Sequence, residues 1–175
     1  NNNIDSSQSG ISLHISENNE ISGNTVSTEQ NGIYLWLSSD NTITNNTVTT
    51  TLQAAILLKD ASDNNSITNN TFTANNETIK IQNADENKLL NNNITAETSN
   101  LIKVTDQQAY MNNYLIYNNS FGQISWLDTE NLTITENGTL ALGINPIIED
   151  NRITLNSSAL PSLNDSANLT LYNTA

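Results

Sequence analysis

One phrase of about 22 residues is written five times along this chain, and that repetition limits the possible folds more than any other feature. Its second half reads Asn19-Glu-Ile21-Ser-Gly-Asn24-Thr-Val26, Asn41-Thr-Ile43-Thr-Asn-Asn46-Thr-Val48 and Asn65-Ser-Ile67-Thr-Asn-Asn70-Thr-Phe72. It continues as Asn87-Lys-Leu89-Leu-Asn-Asn92-Asn-Ile94 and, more loosely, as Tyr114-Leu-Ile116-Tyr-Asn-Asn119-Ser-Phe121. The internal Asn advances by 22, 24, 22 and 27 residues. The first half recurs in step, as Gly10-Ile11-Ser-Leu13-His-Ile15, Gly32-Ile33-Tyr-Leu35-Trp-Leu37, Ala55-Ile56-Leu-Leu58, Thr78-Ile79-Lys-Ile81 and Leu101-Ile102-Lys-Val104. A fixed period of this length belongs to a solenoid, in which each repeat buries its apolar face only against its neighbours.

Within the first half the apolar residues alternate (Ile11, Leu13, Ile15; Ile33, Leu35, Leu37), which is the two-residue period of a strand with one face turned inward. Ile21, Ile43, Ile67, Leu89 and Ile116 are expected to anchor a second short strand. Val26, Val48, Phe72, Ile94 and Phe121 are expected to anchor a third. Three strands in so short a repeat leave room only for turns, so each repeat reads as one coil of a parallel β-helix, stacked on the last at about 4.8 Å. Asn24, Asn46, Asn70, Asn92 and Asn119 fall at a corner, where stacked side-chain amides can bond from coil to coil and where Asn tolerates a left-handed backbone.

The repeats resemble those of the NosD-like right-handed parallel β-helices, on the strength of Gly-Ile-x-Leu followed by Asn-x-Ile-Thr-x-Asn-x-Val over about residues 2–121. That family is similar in fold to pectate lyases and is abundant in archaeal cell-surface proteins. The resemblance implies an all-β, right-handed parallel β-helix of about five coils; for function it implies little, since such coils carry lyases, hydrolases, copper-site maturation factors, adhesins and envelope proteins. The period lapses near Phe121, dividing the chain into repeats over 1–121 and a β-rich C-terminal cap or docking segment over 122–175.

Composition narrows the partners. A net charge of −13 with five Lys plus Arg opposes nucleic acid and anionic membrane surfaces. The chain has no Cys, which excludes disulfides, thiolate catalysis and Cys-based zinc sites. No apolar run is long enough to insert in a membrane. Asn1-Asn2-Asn3 already reads as repeat, so the chain is expected to be a mature product or an excised domain. Eleven N-x-S/T sequons occur, and three of them, at Asn45, Asn69 and Asn118, share the position before the corner Asn, so these three are the candidate glycosylation sites of an exported glycoprotein.

Candidate chemistry lies on outward positions. One outward column runs His14, Trp36, Lys59, Gln82 and its neighbour Ser12, Tyr34, Leu57, Lys80, Lys103. Tyr34, Trp36, Lys59, Lys80 and Lys103 therefore form a candidate binding or assembly face, with aromatic rings on which a sugar or a second subunit could stack. Glu17, Asp40, Asp63, Asp85 and Asp106 recur at the turn after the first strand. If stacked, Glu17, Asp40 and Asp63 could hold calcium, although solvated Asx-turns are the favoured account of them. No other cofactor is expected. No catalytic constellation stands out either, because the only Arg, Arg152, lies outside the repeats and the acids follow the repeat instead of breaking it.

These readings favour a structural cell-surface protein, a self-assembling subunit of a filament, sheath or surface layer. The alternatives are a carbohydrate-binding or adhesive module and a polysaccharide lyase or hydrolase. Asn2 and Ile4 already match Asn24 and Val26, so the sequence opens within a coil. Docking of the C-terminal segment of one copy onto the first coil of the next is therefore expected, a head-to-tail contact that does not close on itself.

Overall fold

A computed structural model of the chain describes residues 2–98, 100–105, 113–128, 133–163 and 167–172. It is a parallel β-helix with three faces. Face A stacks Asn3–Ser6, Thr25–Thr28, Thr47–Thr50, Thr71–Ala74 and Asn93–Ala96. Face B stacks Ile11–His14, Ile33–Trp36, Ile56–Lys59, Ile79–Gln82 and Ile102–Thr105. Face C stacks Glu20–Ser22, Thr42–Thr44, Ser66–Thr68, Lys88–Leu90 and Asn113–Asn118. The all-β solenoid expected from the repeat is the one observed.

Parallel pairing without a register slip places like on like. Ile33, Ile56, Ile79 and Ile102 form one fully buried stack and Leu35, Leu58 and Ile81 another. Ile43, Ile67, Leu89 and Leu115 line face C, and Val48, Phe72 and Ile94 line face A. Each fully buried aliphatic side chain contributes about 1.5–3 kcal/mol of transfer free energy, so the stacks supply most of the stability.

The corners are tied by side-chain amides. At the C-to-A corner the Oδ1 of Asn24, Asn46, Asn70 and Asn92 each accepts the backbone N–H and the Nδ2–H of the ladder Asn one coil before, at 2.8–3.1 Å. A second ladder, which the sequence reading did not single out, runs through Asn19, Asn41, Asn65, Asn87 and Asn113 at the B-to-C corner. Its signal was available, because Asn opens the repeated phrase in four coils. Left-handed residues turn the chain beside these ladders: Asn18, Asp40, Asn64 and Glu86 have φ of 57°, 56°, 55° and 54°.

Four expectations are corrected. Ile15 and Leu37 do not point inward; each takes φ 50° at the end of its strand, which ends the alternation, and Ile15 is 71% exposed. In the fifth coil Leu115, not Ile116, stacks on Leu89, because the ladder Asn113 opens the phrase one residue before the visible match at Tyr114. Asn119 leaves the ladder: its Nδ2 donates to the Ile148 carbonyl and its Oδ1 accepts from Phe121 and Gly122 N–H. Phe121 is therefore exposed and anchors no third strand.

From Gly122 the chain reverses and retraces one coil backwards. Gly122–Asp128 pairs antiparallel with the last strand of face C, Ile134 bridges Ile102 on face B, and Gly138–Leu140 pairs antiparallel with Asn93–Ala96 on face A. This counter-running coil covers the end of all three stacks. Tyr117 is sealed beneath it, its hydroxyl 2.6 Å from the Asn92 carbonyl, and burial pushes its phenol well above its usual pKa. Ile148, Leu160 and Leu163 pack into the same core, and Trp126 Nε1–H donates to the Leu163 carbonyl at 3.3 Å. Ala167–Leu171 then adds the outermost strand to face C.

Candidate binding face

The outward columns of face B are those the repeat predicts. Tyr34 lies between Ser12 and Leu57, with Lys80 and Lys103 following, while Trp36 lies between His14 and Lys59. Pairing of adjacent strands thus brings Tyr34, Trp36, Lys59, Lys80 and Lys103 onto one half-buried surface.

His14 belongs to this site, although its place in the outward column does not by itself mark it as more than an ordinary surface residue. Its ring stacks on Trp36, with centroids 3.9 Å apart and planes 25° from parallel. The Trp36 Nε1–H donates to Asp60 Oδ2 at 3.1 Å, so the indole is fixed at its edge and covered on one side. Asp60 also lies 3.7 Å from Lys59 Nζ and accepts from Asn83 at 3.3 Å. Lys103 is paired with Glu77 at 2.8 Å. Burial alone would raise the Glu77 pKa, but its hydrogen bonds from Lys103 and from its own backbone, with the charges of Lys103 and Lys80, hold it below the ordinary value. Among the described residues Lys80 is the lysine of this face that makes no ion pair. The surface therefore offers a pinned aromatic edge, a tyrosine and, at Lys80, an ammonium without an ion pair among the described residues, within a strongly acidic molecule.

The acidic column does not hold together. Asp40 is out of register with Glu17 and Asp63, since it precedes its ladder Asn by one residue where the other two precede theirs by two. Ser39 occupies the place between them: its Oγ accepts the Asp63 N–H at 3.1 Å, and Asp63 Oδ1 accepts the Asp85 N–H at 2.7 Å. Asp40 pairs instead with the Asn64 side chain in the adjoining column. Among the described residues no three His, Asp or Glu side chains converge as a metal site would require. Asp106 lies outside the described residues, as do two of the remaining sequons, at Asn131 and Asn164.

The sequon column is better formed. Asn45 and Asn69 are exposed at left-handed corners, both with φ 56°. Asn118 stacks in the same column but is half-buried, its Oδ1 accepting from Asn91 Nδ2 at 2.7 Å.

Fold and surface together define a capped parallel β-helix whose inward stacks are structural and whose chemistry is confined to outward columns. A family model described as "Periplasmic copper-binding protein (NosD)" matches residues 1–139, and the chain belongs to that family. Neither the curated proteins nor the solved structures yield a match. The donor set does not fit copper as the family description would suggest. The chain holds one His, one Met and no Cys, and that His is stacked on Trp36 while Met111 lies outside the described residues.

Proposed function

We propose that this chain is a non-catalytic structural protein exported across the membrane, which assembles end to end at the cell surface. The periplasmic setting in the family description and the exposed sequons at Asn45 and Asn69 support the export. The observation that carries the assembly is the outermost strand of face C. Ala167–Leu171 pairs on one side only among the described residues, and Leu169, Leu171 and Tyr172 beside it are 62, 47 and 41% exposed. An edge strand with apolar side chains and free backbone groups is a template for pairing with another chain. Asn3–Ser6, Ile11–His14 and Glu20–Ser22 likewise pair on one side only among the described residues, and Ile4, Ile11 and Leu13 within them are only partly covered. Sedimentation and electron microscopy of the purified chain test this. Concentration-dependent rods are expected, and a Leu169→Lys/Leu171→Lys variant should remain monomeric; a wild-type chain that stays monomeric at high concentration refutes the assembly.

A second reading, carbohydrate binding through face B, is favoured by the fixed Trp36 ring beside Tyr34 and by Lys80, which makes no ion pair among the described residues. Retention on an immobilised acidic polysaccharide that is lost in Trp36→Ala and Lys80→Ala would establish it. Turnover of that polysaccharide by the wild type would establish an enzyme instead.

A further inference from the structure

Face A carries a different surface from face B. Its outward residues form two straight columns, Thr25–Thr47–Thr71–Asn93 and Ser27–Thr49–Thr73–Thr95, in perfect register. The second column continues onto the cap, where the Thr95 and Thr139 hydroxyl oxygens are 3.2 Å apart. Thr25, Ser27, Thr47, Thr49, Thr71 and Thr73 make no side-chain hydrogen bond among the described residues, and all except half-buried Thr73 are exposed. Within a chain of net charge −13, no charged or aromatic residue stands in either column between Thr25 and Thr95.

We infer that face A is an ice-binding surface. Coil stacking repeats each hydroxyl and methyl group at about 4.8 Å, and the two-residue step along a strand repeats it at about 6.6 Å, giving a rectangular mesh. The mesh is stiff, because Thr has a restricted χ1 and the adjacent corner is fixed by the Asn ladder. Hydroxyls without protein partners must bond water, and a regular array of them with methyl groups between orders that water at the same two repeats. The prism plane of hexagonal ice repeats its oxygens on a rectangular mesh of closely similar dimensions. Charge selects the same occupant. From Thr25 to Thr95 the face is uncharged, and Asp5 stands beyond it in the first coil; such a patch on an acidic protein suits a neutral partner, and a periodic face suits a periodic solid. Crystalline polysaccharide is also neutral and periodic, but its rings are gripped by aromatic side chains, and those of this protein lie on face B.

The test uses the unglycosylated chain below the concentration at which it assembles. Faceted ice growth and a gap between melting and freezing temperatures are expected for the wild type. Both should be lost in Thr49→Tyr, whose ring lifts the ice from the mesh, and in Thr71→Lys, which supplies the same test at a separate coil. Trp36→Ala and the monomeric Leu169→Lys/Leu171→Lys variant should retain them, which separates this surface from the assembly and carbohydrate readings. Circular dichroism identical to wild type qualifies each variant. Absence of faceting by the wild type, or faceting that survives both face A substitutions, overturns the inference. Retention on insoluble cellulose or chitin that depends on Thr49, without faceting, overturns it in favour of a polysaccharide surface.

Discussion

Replacing Asn70 with Ala measures what an amide ladder contributes. Asn70 is 1% exposed and sits in the middle of its ladder. Its Oδ1 accepts the Asn46 N–H at 2.8 Å and the Asn46 Nδ2–H at 3.0 Å; its Nδ2 donates to the carbonyls of Ile43 at 2.8 Å and Thr68 at 3.1 Å and to Asn92 Oδ1 at 3.0 Å. Some of these groups keep a second partner after truncation. Asn46 Nδ2 still reaches the Ile21 carbonyl, and Asn92 Oδ1 still accepts the Asn70 N–H. The Asn46 N–H loses its acceptor outright, and the Ile43 carbonyl loses a donor. At about 1–3 kcal/mol for each buried polar group stranded, Asn70→Ala should cost about 2–4 kcal/mol. That is a large share of the roughly 5–15 kcal/mol typical of a domain. Asn93→Ala is the matched control, because Asn93 is exposed and its side chain makes no hydrogen bond among the described residues; it should shift stability by no more than about 0.5 kcal/mol. Urea titration followed by circular dichroism reads both, with m unchanged. A cost for Asn70→Ala no greater than that for Asn93→Ala would show that the ladder follows from the coils without helping to hold them.

Gly32→Ala should destabilise by about 1–3 kcal/mol or more, since an added Cβ would lie 2.1 Å from Val48 Cγ1 and 2.6 Å from the Ala55 carbonyl oxygen; a thermal melt matching wild type would contradict that packing. Stability should be insensitive to Tyr117 below pH about 10 and fall as pH rises above it, because the unfolded phenol ionises there while the buried one stays protonated. Tyr117→Phe should flatten this alkaline limb, as followed by urea titration at several pH values. Chelator should leave the melting temperature unchanged, given that Asp40 lies out of register with Glu17 and Asp63; a rise of several degrees with added calcium would instead establish a bound ion.

The parts of this fold legible in the sequence were those fixed by periodicity. Ile33 and Leu35, Ile56 and Leu58, and Ile79 and Ile81 announced both the strand and its inward side, and the counting of coils placed Tyr34, Trp36 and the three lysines on one face. Errors arose where the backbone leaves regular values. Nothing in the pattern Ile11-x-Leu13-x-Ile15 shows that Ile15 turns left-handed, since an Ile there forgoes its usual conformational preference for the sake of the corner. The fifth coil misled because the Asn-Asn pair 118–119 imitates the corner phrase, whereas Asn113 and Leu115 carry the true register. The reversal at Gly122 was illegible for a different reason: antiparallel strands in a cap obey the same alternation as parallel ones, and their direction is set by which edge remains open. The single-residue offset of Asp40 was visible by counting to the ladder Asn, and it decides against a stacked acidic site.

The mismatch between a copper-binding family and a chain with a single His has a structural logic. The coil is held by inward aliphatic stacks and by two amide ladders, and outward side chains contribute to neither. Outward columns can therefore be rewritten without disturbing the register, whereas one inward polar residue or one missing ladder Asn disturbs every coil it touches. Family membership consequently transmits the core and the corners, which is why the model matches through residue 139, in the reversed coil, while saying little about the ligand. This chain bears the marks of such rewriting. Face B carries three of the five Lys and Arg residues with Trp36 and Tyr34, and from Thr25 to Thr95 the outward columns of face A carry only Thr, Ser and Asn, although both are built on the same coils. Two surfaces so different in chemistry on one repeat are not explained by strand propensity, which acts on both faces alike, and their divergence is the reason to assign them separate partners.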